Sequence, residues 1–497
     1  MERTIEAAFL LLLVVPLLRI AIEPGLRRRF HAFPPIQALL LTSLGAYVTG
    51  VIAVAMMAPT LLRIAAVTAV LVLAFLFWNG RASFGSARRL PPGSLSFFST
   101  APWRDPYYYK KAGELYGPVF KFRHMLEPAV GIVGLARVSD FIRRNDQDLL
   151  IPPAPFNTLI PGGFVRYMSG AEHKDTAGLL RSAFTQAVVE SCEADFAAES
   201  RCMLDSIAAS GEHGSDPRLV IDRMVLNETM LCFVGLRPGA ELDRFAQLYD
   251  IGDYRQLARV GQKRAKAAIL DVISEMRALA ASSATGADSR RSFLGELVAS
   301  HPEAIASDEA MGNFAYALHT GRLDVSGLLV WLLAVLGENP AWVAKLNEVL
   351  KENECDALKV GGLADRIVRE TLRLRQSEFL LRRVRHPIEW EGFRIPSGWH
   401  VRFCIAESHR SRDTFDRPEE FDPDRFIQPP ERTRYSPFGF APHLCPGEHL
   451  TRAMGRHLAA EISRGYEISV RNEAPWEFSG FHWRPNSGMR VFLRPLS

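Results

Sequence analysis

Residues 438–450, FGFAPHLCPGEHL, place one cysteine in a loop that is framed by prolines and leads into a helical pattern. Pro442 and Pro446 restrict the backbone around Cys445, and Gly447 can take a positive φ or allow another group to approach closely. Apolar side chains then recur at helical spacing: Leu450, Met454, Leu458 and Ile462. The pattern predicts Cys445 at a helix N-terminus, where N–H groups favour a thiolate. On residue type alone, a buried structural cysteine is the alternative.

Composition indicates a large, ordered chain without a charge bias. Apolar residues make up 48% of the 497 residues and charged residues 23%, which is enough to build a substantial core. The 59 Lys and Arg nearly balance the 55 Asp and Glu, so charge gives no reason to expect a nucleic-acid partner. The six cysteines include no C-x-x-C pair, which argues against a disulfide framework or a zinc knuckle and fits a reducing compartment.

The first 85 residues have the composition of a membrane region. Apolar stretches cover residues 5–22, 35–59 and 61–78, and the second is long enough to span a bilayer. The first contains Pro16 and Arg19, and a signal peptide is its alternative interpretation, although no small-residue cleavage site follows. Arginines cluster after the first stretch and after the third, at positions 27–29 and 81–89. The positive-inside rule therefore predicts a multi-pass membrane protein with two or three transmembrane helices in residues 1–85 and the globular part, residues 86–497, on the cytoplasmic side.

The globular part is predicted to be mainly α with a minor β subdomain. GPVFKFR and PAVGIVG indicate a hairpin, and IEWEGFRIPSGWHVRF indicates a second hairpin followed by another strand. A long apolar helix is predicted from Ser307 to Gly337, with Gly321 interrupting its middle, and LADRIVRETLRLR predicts a shorter helix.

Three motifs occur in a fixed order. Glu370 and Arg373 stand three residues apart on one helix face, where they can pair, although a solvated surface pair is the common alternative. Arg425 follows in the Pro-rich, aromatic segment FDRPEEFDPDRF, and the Cys445 loop comes last. Together these motifs resemble the cytochrome P-450 family of haem-thiolate enzymes, over roughly residues 90 to 497.

The resemblance implies a cytochrome P-450 fold, preceded here by the transmembrane helices, and haem b as cofactor. It implies that Glu370, Arg373 and Arg425 form a structural triad. For the cofactor site it implies Cys445 as the axial thiolate, Phe438 as the aromatic that packs beside it and Gly447 as the turn glycine. The groups that it implies for the propionates are Arg382, His173 and His443. His443 stands where the family usually has an arginine, Ala441 where it has a glycine, and Ala177 where it has a second arginine.

The centre of the long helix departs further from the family. Oxygen-activating members have a glycine, an acid and a threonine there, whereas this chain has Gly321, Leu323 and Asp324 in those places. A one-residue shift of the alignment would restore the acid and put Val325 at the threonine position. We expect Asp324 and Gly321 to be the catalytic residues, with Asp324 on the distal face of the haem and its pKa raised by desolvation. A capping or salt-bridged Asp324, paired with Arg322 or a nearby loop, is the alternative.

These features predict a membrane-anchored haem-thiolate oxidoreductase of the monooxygenase type that acts on a lipophilic small molecule. No dinucleotide-binding glycine pattern is present, so electrons would come from a separate reductase or ferredoxin. Arg452 and Arg456 could receive an acidic partner, or could belong to a solvated helix face. Two alternatives stay open: a haem-thiolate isomerase, dehydratase or peroxide-using enzyme, and a non-catalytic haem-binding or scaffold protein.

Overall fold

A computed structural model describes residues 89–95, 101–124, 127–152, 155–251, 260–283, 291–375, 380–472, 476–478, 483–485 and 488–496. The predicted transmembrane segments of residues 1–85 lie outside the described residues, so their number and orientation stay predictions. Within the described residues, one helix, Asp308–Glu338, is long and apolar enough to cross a membrane, and 78% of its apolar window is buried inside the protein.

Helices dominate the described chain, as the sequence predicts. Their bounds are α1 Ala101–Arg104, α2 Tyr108–Tyr116, α3 Leu135–Asn145, α4 Gly170–Ala183, α5 Gln186–Ser191, α6 Glu193–Ala208, α7 Pro217–Val234, α8 Ala240–Ile251, α9 Gln262–Ser283, α10 Phe293–Ser300, α11 Asp308–Glu338, α12 Pro340–Glu352, α13 Glu354–Leu358, α14 Leu363–Leu374, α15 Ile405–His409 and α16 Glu448–Gly465. Helices α6, α7, α11, α14 and α16 all contribute side chains to the largest hydrophobic core.

The predicted long apolar helix is α11, and it lies at the centre of that core. The Ser307 side chain caps its first turn by accepting a hydrogen bond from the Ala310 N–H (3.1 Å). The expected interruption at Gly321 is wrong, because the helix continues through this residue. A single glycine costs a helix only about 1 kcal/mol, and the buried apolar residues on either side outweigh that cost.

The β component is small; the two predicted hairpins and the strand after the second one are present, and the other strands were not predicted. Its strands are β1 Val119–His124, β2 Glu127–Val133, β3 Leu149–Leu150, β4 Leu380–Val384, β5 Ile388–Trp390, β6 Phe393–Ile395, β7 His400–Cys404, β8 Tyr466–Arg471, β9 Glu477–Phe478, β10 Trp483–Arg484 and β11 Arg490–Pro495. The largest sheet has the order β1-β2-β7-β4-β3, and β5–β6, β8–β11 and β9–β10 form pairs. Glu391 (φ 46°) and Gly392 (φ 78°) both have positive φ, which is the conformation of a tight two-residue hairpin turn.

The Glu370–Arg373 pair of α14 is buried, so it is not a solvated surface pair. Both side chains are 0% exposed, and Arg373 Nε and Nη2 donate to the two Glu370 oxygens at 2.6 and 2.8 Å. The other guanidinium hydrogens go to backbone oxygens of His409 (2.8 Å), Pro418 (2.7 Å) and Glu420 (3.1 Å). Arg425 Nε lies 3.4 Å from a Glu370 oxygen. The triad therefore holds the segment after α15 against α14.

The interpretations of Arg452 and Arg456 are both wrong. Each side chain is buried, so they form neither a solvated face nor a docking surface. Arg452 Nη2 lies 2.6 Å from an Asp365 oxygen, and Arg456 Nη2 lies 3.0 Å from a Glu193 oxygen. The reason is that α16 packs between α6 and α14, and these helices supply the two carboxylates.

We expect Arg373→Met to lower the free energy of unfolding by about 3–5 kcal/mol, because it leaves the Glu370 carboxylate buried without its cation. Denaturant unfolding followed by circular dichroism measures this loss. Lys359→Met is the matched control, since Lys359 and Asp356 also stand three residues apart but are 63% and 56% exposed. That pair should contribute less than about 1 kcal/mol. Equal losses in the two variants would contradict a structural role for the triad.

Candidate active site

The Cys445 loop runs between two fixed points. At its start, the Ser436 N–H donates to Nε2 of the buried His409 (3.1 Å). Inside the loop, the Cys445 N–H donates to the Phe438 carbonyl (3.0 Å). At its end, α16 begins at Glu448, as the sequence predicts. Because hydrogen bonds hold the start and the middle of the loop and its end enters α16, the fold fixes the position of the Cys445 sulfur.

Cys445 itself is exposed, so it is not a buried structural cysteine. Its Sγ accepts a hydrogen bond from the Gly447 N–H at 3.4 Å, and it lies just before the positive end of the α16 dipole. Both features favour a thiolate. Gly447 has an ordinary φ of −82°, and the positive φ in this loop belongs to Gly439 (+82°). Phe438 is half-buried against the largest core.

The structure brings His443, His173 and Arg382 into one basic cluster. The rings of His173, on α4, and His443 have centroids 3.9 Å apart. Burial, and after it the positive charges of Arg382, His173 and Arg166, lower the pKa of His443 to about 3. Burial also lowers the pKa of His173, with Arg181 and Arg382 acting in the same direction. The two imidazoles are therefore neutral near pH 7, and the positive charge beside them comes from Arg382 and Arg166, which favour a bound anion.

Arg166 is a member of this cluster that the sequence analysis missed. It lies in a short 3₁₀ turn, Val165–Tyr167, before α4 and outside the motifs that carry the family resemblance. Ala177 is buried on α4 and supplies no cation. Arg166 and Arg181 therefore provide positive charge that the usual motif positions lack.

One face of α11 is open. Most residues in the middle of this helix are buried, but Ala317, Thr320, Gly321 and Asp324 are half-buried. Their spacing of i, i+3, i+4 and i+7 places them on a single stripe. Apart from the neighbouring backbone of its own helix, a Cβ added at Gly321 would meet no atom within 4 Å. Space therefore lies over this stripe, on the helix that carries the two predicted catalytic residues.

Arg322 points to another side of α11. Its guanidinium pairs with Asp222 on α7 (2.6 Å) and with Asp250 on α8 (2.8 Å). The Leu323 carbonyl accepts a hydrogen bond from Arg484 at 3.1 Å. The roles of Asp324 and its raised pKa stay predictions.

The comparisons with known proteins agree with this geometry. The family profile described as cytochrome P-450 matches residues 242–486. Abscisic acid 8'-hydroxylase 1 of Oryza sativa is 25% identical over 432 residues, which cover 79% of this chain and 88% of that protein. Sterol 14alpha-demethylase of Mycolicibacterium vanbaalenii is 25% identical over 409 residues, covering 76% of this chain and 89% of that protein. Over these matched residues the chain is similar to cytochrome P-450 proteins.

Solved structures show the same fold. A retinoic acid-bound cyanobacterial cytochrome P-450, CYP120A1, superposes with a TM-score of 0.67 and 19% identity, covering 82% of this chain and all of that one. A zebrafish cytochrome P-450 with progesterone gives a TM-score of 0.63 at 19% identity, covering 78% and 99%. The family profile and the relatives, among them a hydroxylase and a demethylase, indicate a cytochrome P-450-like oxidoreductase, and haem b is the cofactor of that family. This sets the scaffold alternative aside.

The residues present fit haem b. A porphyrin of this type needs an axial ligand, a partner for two propionates and an open face for its substrate. The structure has an exposed cysteine with an N–H group on its sulfur, a basic cluster around His443, and a helix stripe with space over it. These three features match those three needs.

We expect stability to fall as pH decreases from 6.5 towards 3, with a contribution from His409. Burial, together with the charge of Arg373, lowers the pKa of His409 to about 3 in the folded protein. The unfolded chain takes up this proton near pH 6.5, so the folded state is favoured above that pH and loses about 1.4 kcal/mol per pH unit below it. His409→Gln should flatten the slope by one proton. Urea unfolding at pH 7, 6 and 5 measures it, and an unchanged slope would contradict the assignment.

Proposed function

We propose that this chain is a membrane-anchored monooxygenase in which Cys445 ligates haem iron and a lipophilic small molecule binds over the open stripe of α11. The observation that carries the proposal is the placement of Cys445. It is an exposed sulfur on a loop that hydrogen bonds fix to the core, at the start of a helix. Few other roles require a single cysteine to be held in this way.

The other site residues have matching roles in the proposal. His173, His443 and Arg382 hold the propionates, and Phe438 packs beside the sulfur. The Gly447 N–H donates to the thiolate and so reduces its basicity. Bound haem supplies the activation of dioxygen and the insertion of one oxygen atom into a substrate C–H bond. His443 replaces an arginine, and its neutral ring can donate only one hydrogen bond to a propionate.

Cys445→Ser tests the proposal directly. We expect the purified wild-type protein to show the red-shifted ferrous–carbon monoxide band of a thiolate ligand, and the variant to lose it. Cys355→Ser is the matched control, because Cys355 is also exposed but lies on α13. A thiolate band that survives in Cys445→Ser, or one that is lost in Cys355→Ser, would contradict the assignment.

On the open face, we propose that Asp324 moves protons at its carboxylate oxygens and that Gly321 leaves room for substrate. The half-buried position of Asp324 on the open stripe supports this role. An acid in partly apolar surroundings retains its proton more readily than one in water and can deliver it to a nearby acceptor. The carboxylate would then replace the alcohol that the family usually places in this register.

Asp324→Asn keeps the shape of the side chain and removes its proton. We expect the rate of product formation to fall about 100-fold or more, with more hydrogen peroxide released per electron consumed. Asp308→Asn, an exposed acid in the first turn of the same helix, is the control and should change neither quantity. Wild-type rate and coupling in Asp324→Asn would show that the carboxylate has no catalytic role.

For the substrate, we propose an apolar acid of terpenoid size. Two relatives are named for abscisic acid and ent-kaurenoic acid, and one fold neighbour holds retinoic acid. All three are lipophilic carboxylic acids. These compounds are the first to test for a spin-state shift of the haem band, and one that produces a shift provides the assay for Asp324→Asn.

A second candidate function is an isomerase or dehydratase that needs no dioxygen. The replacement of the usual acid by Leu323, with a carboxylate at the next position, favours it. Dependence on an external reductase or ferredoxin distinguishes the two, because the monooxygenase needs two electrons per turnover and the isomerase needs none.

The arginine clusters that flank the apolar N-terminal stretches support a membrane anchor with the catalytic part on the cytoplasmic side.

A further inference from the structure

His409 lies between the buried ion pair of α14 and the Cys445 loop. It is the last residue of α15 and is 0% exposed. Its carbonyl accepts a hydrogen bond from Arg373 Nη1 at 2.8 Å, and its ring Nε2 accepts one from the Ser436 N–H at 3.1 Å. One residue thus contacts the triad through its backbone and the loop through its side chain.

The ring can accept this hydrogen bond only in one form. Nε2 must carry no proton, so the neutral tautomer with its hydrogen on Nδ1 is required. Burial and the neighbouring Arg373 charge hold the pKa of His409 near 3, which keeps the ring neutral at physiological pH. Nδ1 has no hydrogen-bond partner within the described residues. Leaving the buried Nδ1–H without a partner destabilises the folded state. The hydrogen bond from the Ser436 N–H to Nε2 offsets part of this loss.

The bond acts on the point where the loop begins. Ser436 is 1% exposed, so water cannot replace the acceptor. The Ser436 hydroxyl donates to the Gly439 carbonyl, and the Phe438 carbonyl accepts from the Cys445 N–H. A shift of Ser436 is therefore passed through short hydrogen-bonded turns to the sulfur.

We propose that His409 is a positioning residue for Cys445, which acts by fixing the first residue of the cysteine loop to the triad scaffold. The inference rests on the proposed role of Cys445 as the haem ligand. It gives this histidine a function that neither the triad nor the haem contacts use. It also explains how the loop keeps its place although Ala441 replaces the usual glycine and His443 the usual arginine.

Two substitutions test the hydrogen-bond acceptor of His409 separately from its aromatic ring. His409→Phe keeps an aromatic ring against Tyr435, whose ring centroid lies 5.2 Å away, but removes the acceptor. His409→Gln removes the ring and keeps an acceptor oxygen near the position of Nε2. We expect the ratio of non-thiolate to thiolate ferrous–carbon monoxide complex to rise roughly tenfold in His409→Phe and to stay close to wild type in His409→Gln. His386→Phe, whose side chain is 69% exposed, is the control.

The outcomes are distinct from those of the Cys445 test. If Cys445→Ser keeps the thiolate band, the proposed function fails whatever the His409 variants show. If Cys445→Ser loses it and folded His409→Phe keeps a wild-type ratio, the positioning role is wrong. If His409→Phe does not fold by circular dichroism, the ratio is measured in His409→Leu, which also removes the acceptor: a rise supports the positioning role, and a wild-type ratio overturns it.

Discussion

The buried ion pair between Glu370 and Arg373 is the interaction on which the arrangement of this protein depends. Burying two charges is costly, and the cost is offset only when the geometry is good and the remaining hydrogen bonds are made. Here Arg373 also donates to three later backbone carbonyls, those of His409 at the end of α15 and of Pro418 and Glu420 in the segment that follows. The pair therefore organises a stretch of chain with little regular structure, and that stretch leads to the cysteine loop.

The main features of the fold could be predicted from the sequence because they depend on local periodicity. The long helix and both hairpins lie where the apolar pattern placed them, and Ser307 caps α11 as a residue of its type should. The cysteine loop and the triad could be found because each has a residue order that other folds do not share. The cluster of His173, His443 and Arg382 depended on family resemblance alone, and the structure brings these residues together.

Other features depend on contacts between distant segments, which no local pattern contains. Within their own helix, Arg452 and Arg456 look like solvated charges. The acid that pairs with Arg456 lies 263 residues earlier, on α6, and the acid that pairs with Arg452 lies 87 residues earlier, on α14. Arg166 and His409 gave no signal for the same reason, since their importance comes from what the fold packs beside them. Gly321 shows the opposite error: a local rule predicted a break that tertiary packing removes.

At Gly321 the stability of helix α11 and the volume of the space beside the helix oppose each other. An alanine would favour the helix by about 1 kcal/mol, and its methyl group would meet no atom from beyond the neighbouring backbone of its own helix. Glycine is therefore the less stable choice at a position where sterics within the protein demand nothing. Under the proposed function its benefit is volume, because the room that a methyl group would take is left to the substrate. Single substitutions on this stripe would then change the size of the accepted substrate while the rest of the helix keeps its packing.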